Sequence, residues 1–376
     1  MKKAFFLFIL IVSFSACDHV QKHGFSAEGD TLALKYAEML TIVQHDAYTE
    51  VNIKDPWNQG KILHTYFLLP DSVPEPPHLS RGTVVRVPIK RSVLFNTAHC
   101  HLLYDLHAEK AISGVCDAEY ILIPDVQKRL KGQQPKIVDC GDGMAPMVEK
   151  MVEVRPQAIL LSPFENSGGY GQLEEINIPI IECVDYMETS ALGRAEWMRF
   201  YGMLFGCERQ ADSLFHVVDS CYHALMKVAE SSNTHLSILT ERKTGSVWYC
   251  PGGRSTLGQL IADAKGGYAF SDDQHSGSLP LSFEQVLDKA GNTDVWAFKY
   301  HGDRPMSRRD LLEEFHGYTG LKAFRHGMIY ECNCSKVPYF DEIPFRPDYL
   351  LREFIILLHP DITHLGKLRY YQKIPQ

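Results

Sequence analysis

The sequence predicts an α/β protein: two Rossmann-like lobes, each a parallel central sheet with flanking helices, joined by one long rigid α-helix. Three observations carry this. From residue 86 to 184, short β-branched runs alternate with helical segments, the rhythm of strand–helix units in a parallel sheet covered on both faces. Ala211, Leu214, Phe215, Val218, Cys221, Tyr222, Leu225, Val228 and Ala229 then recur at three- and four-residue steps without Gly or Pro, one amphipathic stripe over 208–230. Beyond it the strand–helix alternation resumes. At 1.5 Å per residue such a helix is roughly 35 Å long, about a domain diameter, so it reads as a strut between lobes.

The elements follow in order. Met1-Lys2-Lys3 is basic, and residues 4–14 are apolar except for Ser13. This run is too short for a stable bilayer span and fits a secretory signal. Ser15-Ala16 directly before Cys17 resembles a bacterial lipobox. Residues 1–16 are therefore expected to be a lipoprotein signal peptide, with lipidated Cys17 anchoring an exported, periplasm-facing chain to a membrane. Residues 17–85 read as an N-terminal extension, with strand-like pieces at 48–53 and 62–69 and a proline-rich linker at 70–77. The N-terminal lobe spans 86–207, with strands expected at 92–95, 112–115, 137–139, 158–162 and 178–184. The interlobe helix occupies 208–231. The C-terminal lobe, 232–376, has strands expected at 235–239, 247–249, 295–299 and 328–331 and a last helix at 350–358.

Composition narrows the function. Lys plus Arg total 38 against 46 Asp plus Glu, a net charge of −8, and phosphate binding needs clustered cations, so nucleic acid is not an expected partner. Hydrophobic residues make up 45% of the chain, enough to bury a core in each lobe. Of ten cysteines, Cys17 is committed to the anchor; the remaining odd number leaves at least one free thiol. Cys183 and Cys221 sit in apolar patterns. Cys332-Asn333-Cys334 lacks the second pair of a zinc site, and His99-Cys100-His101 is the one close His pair, so no metal centre is expected from either. Catalytic and nucleotide motifs are near misses. Gly141-Asp142-Gly143 has Pro146 where a dinucleotide fingerprint needs its third glycine, and Gly252-Gly253-Arg254-Ser255 lacks the phosphate-gripping lysine. A binding protein, not an enzyme, is the economical expectation.

Read in order, the segments resemble the cobalamin/iron-chelate family of periplasmic binding proteins. Val93-Leu94-Phe95-Asn96-Thr97-Ala98-His99, then Ile112-Ser113-Gly114-Val115, looks like that family's opening strand–helix–strand. Glu149 followed by Arg155-Pro156 and Ala158-Ile159-Leu160 is similar to its helix, basic-proline, strand unit. Trp197, Gly202 and Gly206 before the strut also fit, as do Pro251-Gly252-Gly253-Arg254, Ala264-Lys265-Gly266-Gly267 and Ser282-Phe283-Glu284-Gln285. Residues 34–69 lie outside the family core, and Lys265 departs from its usual alanine-glycine-glycine. The resemblance implies a substrate-binding lipoprotein of an ABC importer that carries a metal chelate (ferric siderophore, haem or cobalamin, an iron complex preferred) in a preformed cleft. Its partners would be a permease dimer with ATPase subunits. Strand carboxyl ends would bring Asn96, Thr97, His99, Phe164, Glu165 and Asn166 to the cleft from the first lobe. Tyr249, Arg254, Tyr300 and His301 would face them from the second. Glu149 and Glu284 match the family's permease-docking acids. The competing classes are an exported α/β hydrolase and a chelate-binding surface protein without a permease.

Overall fold

A computed structural model describes residues 29–77, 79–165 and 169–375. Residues 1–16, expected as a signal peptide, and Cys17 and Asn166 lie outside them. The chain begins with a five-stranded sheet of β1 (Asp30–Thr31), β2 (Leu40–Gln44), β3 (Thr49–Lys54), β4 (Ile62–Pro70) and β5 (Thr83–Val87), in that spatial order. Its pairs are antiparallel except β4 and β5, which run parallel. Parallel neighbours need a crossover. The proline-rich stretch supplies it, held by Asp71 N–H to Val87 O at 3.1 Å and by Arg86 Nη1 to Val73 O at 2.5 Å.

The first lobe has β6 (Ser92–Leu94), β7 (Ile112–Val115), β8 (Val138–Asp139), β11 (Ala158–Leu161) and β12 (Ile180–Glu182) in the order β12-β11-β6-β7-β8, all parallel. A small hairpin of β9 (Gly141–Asp142) and β10 (Ala145–Pro146) projects after β8. The central strands β6 and β11 are buried on both faces, which is why they read as continuous apolar runs.

The N-terminal sheet is fastened to this lobe by buried polar groups. Tyr36 and Ala37 donate backbone N–H groups to Glu196 at 2.7 and 2.9 Å, and Met39 donates to Glu188 at 2.9 Å. Glu196 is fully buried and Glu188 nearly so. A carboxylate taken from water is tolerable only when so many donors replace the lost solvent.

The Glu208–Glu230 helix has the bounds its stripe predicts. Ala211, Phe215, Val218, Tyr222 and Ala229 are buried; Cys221, expected on the same face, is exposed. Cys221 stands about 100° around the helix from Tyr222, enough to turn its sulfur away from the core. The Met198–Phe205 helix crosses the strut closely: a Cβ on Gly202 would come within 2.6 Å of the Ala211 Cβ.

The second lobe divides its strands between two sheets. β13 (Ile238–Thr240), β17 (Val295–Tyr300) and β18 (Ile329–Asn333) are parallel, and β19 (Gln372–Lys373) adds antiparallel at the edge. β14 (Lys243–Thr244), β15 (Val247–Pro251) and β16 (Ser278–Leu281) form a separate antiparallel sheet. The expected 247–249 strand thus belongs to a hairpin, because the two residues between β14 and β15 allow only an antiparallel return. Among the described residues no helix is long and apolar enough to cross a membrane.

Candidate functional site

Loops leaving the carboxyl ends of the parallel strands line a set of cavities at and between the lobes. On the first lobe, Phe95, Met144, Pro163, Phe164 and Tyr170 surround about 230 Å³. On the second, Glu241, Arg242, Tyr249, Ser255 and Lys299 surround about 430 Å³. A cavity of about 420 Å³ joins the two lobes, with Thr97 and Tyr120 on one side and His301, Cys334, Phe340 and Asp341 on the other. One wall is thus aromatic and apolar, the other charged.

Large apolar side chains are exposed here: Tyr120 55%, Met144 77%, Phe164 50%, Tyr249 49% and Phe340 49%. Scattered exposed apolar residues are ordinary, but several gathered around one set of cavities mark a binding surface. Across the gap the rings already meet. His301 stacks on Phe340 at 6.1 Å and 13°, and Tyr120 from the first lobe meets His301 edge-on at 6.2 Å. On the charged wall Lys299 pairs with Glu241 and Arg242 with Glu314. Burial would push the Lys299 ammonium down, but the Glu241 carboxylate outweighs it and holds the group above its ordinary range. The cleft therefore presents internally neutralised ion pairs beside aromatic faces.

The lobes are tied at the base of the gap. His101 Nε2 of the first lobe lies 3.7 Å from Glu342 Oε1 of the second, Thr256 Oγ1 donates to Glu188 O at 3.1 Å, and the strut's Tyr222 donates to Asp263 at 2.7 Å. The Glu342 carboxylate is also held by Arg369 Nε at 2.8 Å and Tyr370 OH at 2.6 Å.

The sequence-predicted residues divide. Thr97 and His301 meet in the interlobe cavity, Tyr249 stands on the second wall, and Phe164 on the first with exposed Glu165 next in sequence. Asn96 caps the Thr97–Asp105 helix, its Oδ1 accepting Ala98 N–H at 2.8 Å. His99 turns inward. It is 1% exposed, with Nε2 3.2 Å from Asp185 Oδ1, because position 99 falls on the core side of that helix. Tyr300 is also buried, donating its hydroxyl to Arg304 O at 2.9 Å. Arg254 lines a different cavity, about 700 Å³, with Tyr36, Glu38, Tyr222 and Asp263. The turn that places it is fixed by two glycines: a Cβ on Gly252 would meet His275 O at 2.3 Å, and one on Gly253 would meet Ser271 O at 2.4 Å. Glu149 and Glu284 are both exposed in the first turns of their helices. Hydrogen bonds from its own backbone and from Ser282 hold the Glu284 carboxyl below its ordinary value.

Tyr120, Met144, Lys299 and Phe340 escaped the sequence reading, which treats Cys334 only as half of an isolated Cys-x-Cys pair. Tyr120 and Met144 lie in loops after β7 and β8, where the strand-end rule applied to every strand would have found them. Phe340 belongs to the four-residue Tyr339–Glu342 helix, too short to leave a periodic signal.

Comparison with known proteins agrees with this architecture. An uncharacterized lipoprotein of Methanocaldococcus jannaschii is 23% identical over 378 residues, covering 93% of this chain and 87% of the relative. A periplasmic haem-binding protein of Pseudomonas aeruginosa superposes with a TM-score of 0.59 at 13% identity, over 77% of this chain and 99% of that one. An ABC-type Fe3+-hydroxamate transport system protein of Saccharomonospora viridis gives 0.57 at 16%, over 72% and 93%. The periplasmic binding protein family model matches residues 93–334, from β6 of the first lobe to the end of β18 in the second, and the chain belongs to that family.

Proposed function

We propose that this protein is the substrate-binding lipoprotein of an ABC importer, which captures a metal chelate between its lobes and delivers it to a permease dimer driven by ATPase subunits. The observation that carries the reading is the exposure, about half or more, of Tyr120 and Phe340 in the cavity that joins the lobes, of Met144 and Phe164 in the first-lobe cavity and of Tyr249 in the second-lobe cavity. Aromatic faces of this kind suit a flat or catecholate-bearing ligand. The contact set we assign is Thr97, Tyr120, Phe164, Tyr249, His301 and Phe340. The cargo class is a ferric siderophore, haem or cobalamin, with an iron complex preferred, in keeping with the haem and Fe3+-hydroxamate named in the descriptions of the two superposed proteins. Cys17 would hold the chain at the membrane by its lipid, and Glu149 and Glu284 would meet the permease.

The test is native mass spectrometry of the protein purified from its own host, followed by titration of the cleared protein with a ferric hydroxamate, haemin and cyanocobalamin. One of the three is expected to bind, and Tyr249→Ala with Phe340→Ala to weaken it by more than about tenfold. Absence of any co-purifying chelate together with no binding of all three would overturn the proposal.

A further inference from the structure

The chelate reading leaves Cys332 and Cys334 unused. Cys332 lies in β18 and Cys334 one residue past its end; the two are alternate positions, and their sulfurs meet at 3.9 Å. Cys334 lines the interlobe cavity beside His301 and Phe340, while Cys332 is fully buried behind it. Lys299 stands opposite Cys332 on the neighbouring strand β17. Most of the nine described cysteines are buried and fill space as small hydrophobes. This pair differs in two independent respects: its sulfurs touch each other, and one of them faces a cavity.

The spacing has a chemical meaning. Two thiolates on one ion at about 2.3 Å, separated by a tetrahedral angle, stand about 3.8 Å apart. The two sulfurs already hold that separation. Among the described residues no group of three His, Cys, Asp or Glu side chains could hold a metal ion, so any ion at the pair would keep open coordination positions toward the cavity. We propose that Cys332 and Cys334 form a dithiol clamp for a soft, thiophilic divalent cation, whose remaining ligands are water or donors of a molecule in the cleft. Binding exchanges two S–H protons for one divalent ion and changes no oxidation state. The clamp does not depend on the chelate reading.

The experiment uses the full chain, reduced and in detergent, titrated with cadmium chloride while thiolate-to-cadmium ultraviolet absorption is followed. One ion per chain is expected, with two protons released to a pH indicator. Cys221→Ser, which removes the exposed thiol of the strut, should leave the titration unchanged. Cys334→Ser, with folding checked by circular dichroism, should weaken cadmium binding by more than about tenfold. Cys332 is buried and its serine variant can fail to fold, so Cys334→Ser decides. A wild type without the absorption, or one whose absorption persists in Cys334→Ser, overturns the clamp. Chelate titrations report separately: a chelate binder with no clamp still binds its chelate but gives no cadmium absorption.

Discussion

The phenol of Tyr66 accepts the backbone N–H of Glu182 at 2.9 Å and donates its own proton to Ile180 O at 2.8 Å. Both partners belong to β12, the edge strand of the first lobe, and both groups point away from β11, whose ladder runs through Ile181. An exposed edge is a template for wrong pairing, and an unpaired backbone group in a dry contact is costly. One side chain of the N-terminal sheet therefore completes the first lobe. Tyr66→Phe keeps the ring but strands both groups, so a loss of about 1–3 kcal/mol in urea unfolding is expected. A change within experimental error would show that water replaces the phenol.

Asp185 makes the acid response of the first lobe predictable. It accepts His99 Nε2 at 3.2 Å, Tyr201 OH at 3.0 Å and Arg194 Nε at 3.0 Å. Burial pushes its carboxyl up, but Arg194 and His99 prevail and bring it from 3.8 to about 2. A folded value below the unfolded one means that stabilisation is present above the unfolded value and is lost as pH falls through about 2. Asp185→Asn should cost about 3–5 kcal/mol at neutral pH by leaving Arg194 without its buried partner. The stability gap between wild type and variant should then narrow as pH drops from 4 toward 2. Equal gaps at both ends would sink the assignment. The difference is the proper readout, because buried Glu353 and Asp341 have raised values and respond in the opposite sense.

Ligand capture should move the lobes little. The strut has no Gly or Pro, and Tyr36 and Lys35 clamp its Asp219 at 2.7 and 3.0 Å. Large φ/ψ changes have no site at which to occur within it. Scattering curves with and without bound chelate should give radii of gyration within about 1 Å of each other. A contraction of several ångströms would contradict a rigid strut.

Charge reversal tests docking apart from capture. Glu149→Arg or Glu284→Arg should abolish uptake in cells, since charges desolvated in an interface are costly to oppose. Neither residue lines a described cavity wall, so chelate affinity should stay within a few-fold of wild type. A double reversal that transports normally, or that loses chelate binding in proportion to uptake, removes both residues from the docking role.

The sequence by itself determined the elements that local periodicity dictates. The Glu208–Glu230 helix needed only a three- and four-residue apolar rhythm, and β7 needed only a β-branched run between turns, so both appear at the predicted bounds. The parallel character of the first lobe followed from the spacing of its strands and helices. Pairing across long separations was decided only by the tertiary structure. That Tyr66 would close an edge more than a hundred residues away, and that Glu188 and Glu196 would gather the backbone of residues 35–39, left no local trace. Side-chain direction was decided there too. Residues 96–99 were correctly placed at a strand end, yet helix geometry sends Thr97 to the cleft, uses Asn96 as a cap and turns His99 into the core. The spacing of Cys332 and Cys334 is only a weak metal signal in sequence; the 3.9 Å between their sulfurs, and the cavity that Cys334 lines, belong to the fold. Periodicity records which face of an element is apolar, whereas a site depends on which elements the fold then sets opposite one another.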